Sequence, residues 1–517
     1  MRSFTSRTLT NRPLSSLSFI ATTSCVCYAY ALEEIADRSE AQCVSPHLPR
    51  KYNREALHAY WYARPVTVVK RMATIISELT PCITSYIMDF KFFPVDADVM
   101  ENVQKEHSIR LRQALTNLGP AFVKAGQQLS IRPDLVPANV LKELQKLCDS
   151  VDPLPDEVAF RLLREELNCD DLNNIFEDIH LVASASLGQV YKARLRETGD
   201  IVAVKVQREN MLHTFSLDLY ILQLWGFMLD GLFTSVTKQA AYHEALFDTF
   251  SQGSYSELDY ENEAANQLEF QREFSKRNCR VKIPNVFLDF TTRRVLVTEW
   301  INGTKLADAS KARIRELIPV GVELFLIQLL DFGRFHADPH PGNLYVTEDG
   351  LLCLLDFGLC SDISETARSA MTKAIVHLLT GDFDSLVAED AKELGFLPED
   401  LDTEELKPIL KTILTKGLLE SGSNLHARKR KLMDISNELN DIFFKYPFSV
   451  PPFFALVTRG LGLLEGIALT GDPEFDIFKA SFPYARRRAM EIMGSHSTWN
   501  GFRKKITSTR QPRSHQV

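Results

Sequence analysis

The stretch HADPHPGN, residues 336–343, decides how the rest of the chain is read. Proline fixes φ and removes a backbone donor, so a segment with Pro339 and Pro341 is neither helix nor central strand. It is a loop held in one shape. Asp338 and Asn343 stand on it five positions apart.

Working outward, Asp356 in LLDFGLC lies thirteen residues beyond Asn343. Upstream, Val190 closes a loop of small residues, ASASLGQV (183–190), and Lys205 stands fifteen positions later within VAVK. A phosphate-covering loop ending in Val, a strand Lys, a loop Asp and Asn, and then DFG form the signature set of kinases, in order and at the right spacing. One such match is weak, whereas four together are specific. The chemistry agrees. Asp356 is assigned to a Mg²⁺ ion bridging the β- and γ-phosphates of ATP, and Asn343 supplies a neutral oxygen to a second metal. Lys205 is a compact point charge suited to the α- and β-phosphates. Asp338 accepts a proton from an attacking hydroxyl or orients it. The plainer alternatives are a loop-capping carboxylate for Asp338 and a turn before Gly358 for Asp356. A zinc site on His336 and His340 is disfavoured, because the prolines break any helix between them. His336 is expected to brace the loop by hydrogen bonds.

Two departures matter. Kinases use GxGxxGxV where this chain has Ala183, Ser184, Ala185, Ser186, Leu187, Gly188, Gln189 and Val190. These eight are assigned to the nucleotide. The added Cβ atoms predict a stiffer loop, since only glycine approaches phosphate freely and visits positive φ. No APE comes after DFG either. SDISETARSAMTKAIVHLL (361–379) starts a helix at once, which argues against a protein substrate.

The bulk numbers fit a large α+β protein. The chain has 517 residues, 45% apolar and 24% charged, with a net charge of −8. That gives no overall electrostatic case for nucleic-acid binding. The nine cysteines form no CxxC pair and read as reduced, small apolar residues. The first 32 residues lack Asp and Glu but carry Arg2, Arg7 and Arg12 amid Ser and Thr, the composition of an organelle transit peptide. A plain disordered terminus and a secretory signal are the other readings. No run of about 20 apolar residues appears, so no transmembrane helix is expected. LDLYILQLWGFMLDGLF (217–233) reads as a buried amphipathic helix, with a membrane-facing helix as the minority reading.

Along the chain, 65–118 shows helical spacing (Val66, Val69, Met72, Ile75, Ile76, Leu79). Residues 120–150 read as helix, Pro-containing turn, helix, and Pro155 and Asp156 open another. Residues 181–207 read as a β-hairpin about ETGD (197–200). Long helices are expected over 210–275, two strands within 283–303, helix over 311–335, a hairpin over 344–356, and helices over 362–490 broken at 446–452. The expected units are a transit peptide or disordered segment (1–32), a helical N-terminal extension (33–150), a sheet-bearing lobe with inserted helices (151–303), a helical lobe with a C-terminal extension (304–495) and a basic disordered tail (496–517).

The chain resembles the UbiB/aarF family of atypical kinase-like proteins over roughly 100–490. The residues that carry the resemblance are KAGQ (124–127), ASASLGQV, VAVKVQR (202–208), ELDYENEAAN (257–266), VTEWINGTKL (297–306), HADPHPGN and LLDFGLC. In detail it looks most like the cyanobacterial and plastid members. The resemblance implies an atypical protein-kinase-like bilobal α+β fold with a helical N-terminal KxGQ extension and a helical C-terminal extension. It implies ATP and Mg²⁺ as cofactors, Glu299, Trp300 and Ile301 near the nucleotide, and Lys124 and Gln127 in a segment over the cleft. It implies that Lys124 pairs with a carboxylate of the ExD motif, Glu257 or Asp259, and Lys205 with Glu263, although Glu257 is an alternative partner for Lys205. The implied activity is that of an atypical kinase or ATPase acting on small lipid-like molecules in support of prenylquinone metabolism, in a plastid or, second, a mitochondrion. A nucleotide-gated lipid-extraction protein and a protein Ser/Thr kinase are the alternatives. The implied partners are a lipid or prenylquinone precursor, a membrane or lipid-droplet surface, and quinone-biosynthesis proteins.

Overall fold

Gly199 adopts φ of +76° at the ETGD turn, and the strands on either side pair in antiparallel register, Gly188 with Gln207 through Arg194 with Ile201. The hairpin expected over 181–207 is part of a larger sheet in the computed structural model. The structure describes residues 47–91, 97–130, 138–148, 153–236, 243–277, 279–337, 341–380, 382–414 and 452–493. The transit, tail and 446–451 readings lie outside these residues. The chain divides into two compact units, Met1–Asn262 with Phe287–Val297, and Glu263–Val286 with Thr298–Val517.

The first unit carries helices α1 (Arg54–Tyr62), α2 (Pro65–Lys91), α3 (Ala97–Leu118), α4 (Pro120–Leu129), α5 (Ala138–Gln145), α6 (Asp156–Leu167), α7 (Met211–Val236) and α8 (His243–Glu257). Its sheet runs in the order β1 (Phe176–Ser184), β2 (Gly188–Leu195), β3 (Ile201–Gln207), then β5 (Val295–Glu299). Alternation along β3 sends Val202, Val204 and Val206 into a core with Phe176, Tyr191 and Leu163, and turns Lys205 to the other face.

A second core in this unit is helical and is built around α7. Leu217, Leu219, Tyr220, Ile221, Leu222 and Leu224 are all buried, so this part of the helix is enclosed on every side rather than amphipathic. Its fully buried Asp218 accepts from Arg71 of α2 at 2.7 and 2.9 Å, which supplies the partner a buried charge requires.

The second unit contains most of α9 (Tyr260–Lys276), then α10 (Lys311–Leu326), α11 (Glu365–Thr380), α12 (Leu406–Leu414), α13 (Pro452–Gly471) and α14 (Ile477–Met493). A sheet in the order β4 (Val281–Lys282), β9 (Leu352–Leu354), β8 (Leu344–Thr347), β6 (Gly303–Lys305) packs with them, and β7 (Arg334–His336) pairs with β10 (Cys360–Asp362). The 344–356 hairpin is present as β8 and β9.

Two expectations are corrected. Of the two strands expected within 283–303, only Val295–Glu299 is a full strand at that place. Pro284 lacks a donor, and the first segment keeps one bridge, Val286 with Thr298. The helix expected over 311–335 ends at Leu326. A π-helical turn comes next over Ile327–Phe332, and Gly333 in the left-handed region turns the chain into β7. Among the described residues no helix is long and apolar enough to cross a membrane.

Candidate active site

In the first unit Lys124 and Gln127 of the KAGQ stretch each have a partner. Lys124 Nζ lies 2.6 Å from Glu257 Oε2, with both side chains about nine-tenths buried. Gln127 Nε2 donates to Leu147 O at 2.9 Å. A Cβ at Gly126 would stand 2.5 Å from Leu147 Cδ1 and 3.0 Å from Leu115 Cδ1, so a larger residue there would require those leucine side chains to shift. The ExD motif divides its work. Glu257 takes Lys124, whereas Asp259 caps α9, its Oδ1 accepting from the amides of Glu261 and Asn262 at 3.1 and 3.3 Å.

The small-residue loop is a tight turn. Ala183 faces Val190 and Ser184 faces Gln189 across β1 and β2, and Ala185 N donates to Gly188 O at 2.8 Å. Arg208 clamps it from outside, donating from Nη2 to Ser184 Oγ at 2.9 Å and from Nε to Ala185 O at 3.0 Å, while its amide donates to Leu187 O. Leu187 packs against the helical core. Gln189 is corrected: it is 1% exposed and turns inward, bonding the amide of Leu154 and the Tyr191 hydroxyl. The bond to Tyr191, which in turn donates to Asp156, ties β2 to the start of α6. Lys205 pairs across the sheet with Val190, so the loop's last residue and the strand lysine sit side by side.

In the second unit Asp356 has φ of +62°, a left-handed conformation uncommon for a non-glycine residue. Its carbonyl accepts from His336 Nε2, and its Oδ1 accepts from Gly358 N at 3.2 Å. His336 is in turn set by Gln328 on the π turn, whose Oε1 accepts the His336 amide at 2.9 Å. Glu263 and Asp356 flank Gly358. A Cβ there would lie 3.3 Å from Asp356 Oδ1 and 3.4 Å from Glu263 Oε2. Burial pushes the nearby Cys360 thiol up to about 12, with Arg334 opposing and the two carboxylates adding to the rise. Helix α9 is tied to the DFG backbone by Asn266, whose Nδ2 donates to Phe357 O at 2.9 Å while its Oδ1 accepts from Arg334 Nη2 at 2.9 Å. Phe357 is fully buried against Phe270 and His336.

Asn343 ends a short turn, Pro341–Asn343, and its carbonyl accepts from Leu355 N at 2.9 Å. Asp338 and His340 lie outside the described residues. Glu299 is already engaged, pairing with Lys282 Nζ at 2.7 Å and accepting from Asn285 N at 3.1 Å, and Trp300 Nε1 donates to Asn302 Oδ1. Ile301 is half-exposed beside them.

The donors fit Mg²⁺ bound together with phosphate. Asp356 and Asn343 offer hard oxygens, and Mg²⁺ takes one or two carboxylates plus phosphate oxygens rather than an all-protein cage. Among the described residues no group of three or more His, Cys, Asp or Glu gathers as a metal site.

A strand lysine beside a tight small-residue turn, and a left-handed Asp braced by a loop histidine ahead of Phe-Gly, define a kinase-like protein. Residues 146–389 match the ABC1 atypical kinase-like domain. The chain is 39% identical over 398 residues to the Arabidopsis thaliana protein named ACTIVITY OF BC1 COMPLEX KINASE 3, chloroplastic, covering 76% of this chain and 54% of the relative. It is 36% identical over 397 residues to the kinase 1 protein of that series, also chloroplastic, covering 75% of this chain and 57% of the relative. An uncharacterized Synechocystis protein is 36% identical over 450 residues, covering 85% and 76%. The chain therefore belongs to the ABC1/UbiB family of atypical kinase-like proteins. It spans between about half and two thirds of the length of the first two curated relatives, 54% and 63%.

Tyr260, Arg208, Asn266 and Gln328 are the contributors that the motifs did not single out. Arg208, Tyr260 and Asn266 lie inside quoted motifs, but their partners are remote in sequence.

Proposed function

We propose that this chain binds Mg-ATP and acts as an atypical kinase or ATPase on small lipid-like molecules, supporting prenylquinone metabolism in the plastid. A bound Mg²⁺ would supply positive charge to offset the charge that develops on the γ-phosphoryl group. Asp356 and Asn343 would hold it, and Lys205 would meet the phosphates. Asp338 would orient the attacking hydroxyl.

The observation that carries the substrate class is the short interval after DFG. β10 pairs with β7, and α11 opens at Glu365, only nine residues after Asp356. That interval is too short for the segment on which protein kinases dock peptides. It supports a small substrate over a protein one. The plastid assignment draws on the relatives named chloroplastic. The prenylquinone role and a peripheral membrane or lipid-droplet surface draw on the family resemblance.

The test is single-turnover ATP consumption with and without liposomes and prenylphenol mimics, on the wild type and Asp356→Asn. The proposal expects lipid-stimulated turnover with a phosphorylated product, lost in the variant. Hydrolysis with no phosphorylated product would favour nucleotide-gated lipid extraction. Peptide phosphorylation in trans would overturn the substrate class.

A further inference from the structure

The structure assigns Tyr260 as the positioning residue that sets both Lys205 and the end of the small-residue loop. Lys205 Nζ stands 4.9 Å from the centroid of the Tyr260 ring, within cation–π range. The ring is 1% exposed, so it is a fixed surface rather than a mobile side chain. On its other side the hydroxyl reaches the loop. A Cβ at Gly188 would lie 2.7 Å from Tyr260 Oη and 2.5 Å from Val206 O. The one glycine that this loop retains is therefore the one that Tyr260 and the β3 backbone crowd.

The placement of Tyr260 is itself determined. It is the first residue of α9, directly after the capping Asp259. Its amide donates to Arg293 O at 3.0 Å. The preceding Leu258 carbonyl accepts from buried Gln207 Nε2 at 3.0 Å, at the end of the Lys205 strand. The helix cap, the strand end and the loop glycine thus converge on one ring. This gives the second carboxylate of the ExD motif a purpose: Asp259 holds the turn that aims Tyr260. A quadrupole under the ammonium favours its charged form and fixes its position, which deepens the proposed Mg-ATP reading by naming what aligns the phosphate-binding lysine.

The test uses the full chain with Tyr260→Phe, Tyr260→Met and Gly188→Ala. Methionine fills core volume without a ring. Two readouts are taken. The first is trace acetylation of Lys205 near pH 9 in the absence of nucleotide, quantified by mass spectrometry against Lys192. The second is equilibrium binding of a fluorescent ADP analogue. Tyr260→Phe is expected to match the wild type within about twofold in Lys205 acetylation, because the ring is kept. Tyr260→Met and Gly188→Ala are expected to raise Lys205 acetylation severalfold, and Tyr260→Met to weaken the analogue about tenfold. A merely structural residue would not change Lys205 selectively over Lys192. Unchanged Lys205 reactivity in both Tyr260→Met and Gly188→Ala would overturn the inference. If the wild type binds no nucleotide analogue, the functional proposal falls, and the acetylation readout still decides the role of Tyr260. If Tyr260→Met does not fold, Gly188→Ala decides it.

Discussion

Lys124 and Glu257 face each other at 2.6 Å, each about nine-tenths buried. A buried pair is weak evidence for net stability, but breaking one side leaves the other charge stranded. Lys124→Met is therefore expected to cost about 3 kcal/mol in urea unfolding, and Lys124→Met/Glu257→Met to recover much of that loss. An unchanged unfolding midpoint in the single variant would show that the pair is solvated.

Asn266 donates to Phe357 O and accepts from Arg334, joining helix α9 to the DFG backbone. Asn266→Asp keeps the acceptor for Arg334 but sets a carboxylate against a carbonyl. The expected loss is about 1–3 kcal/mol, since the site is 3% exposed and a buried group is left unmatched. Urea midpoints check this, and equal stability for the wild type and Asn266→Asp would refute the tie.

How much of the fold and site is legible in the sequence depends on the range of the contacts. Lys205, Asn343 and Asp356 announce themselves by local motif and spacing. The β2–β3 hairpin does so by alternation around ETGD. β1 extends further than its pattern indicates, because its polar first half is interrupted by Asp178 at φ of +54° and by register shifts between Glu177 and His180, which break the period of two. The π turn at Ile327–Phe332 shares its apolar pattern with an ordinary helix, so the end of that helix leaves no mark in the sequence. Gln189 has the neighbours of a loop residue and yet is a core hydrogen-bonder, because its partners Leu154 and Tyr191 are set by the fold. The same holds for Tyr260 and Asn266, whose partners Lys205 and Phe357 lie 55 and 91 positions away.

Arg208 hydrogen-bonds Ser184 Oγ and Ala185 O, contacts that would help hold a loop without early glycines in one shape. Arg208→Ala is expected to speed amide exchange at Ala185 by about tenfold while leaving β3 amides protected. Exchange at the wild-type rate would mean that the turn holds itself.

His377 donates to the fully buried Asp390, and that hydrogen bond raises its pKa above the ordinary imidazole value, with Asp382 and Glu389 adding to the rise. A raised folded-state value stabilises below the unfolded value and is lost as pH rises through the folded one. His377→Gln should therefore lower the melting temperature near pH 6 and by less near pH 9. A deficit that grows toward alkaline pH would contradict the sign.

The function proposed for this chain rests on Asp356 holding a magnesium ion on a bound nucleotide. Equilibrium binding of ADP with and without Mg²⁺, on the wild type and Asp356→Asn, tests it most directly. The expected result is affinity that rises with Mg²⁺ in the wild type and loses that dependence in the variant. Identical Mg²⁺ dependence in both proteins, or no ADP binding by the wild type, would contradict it.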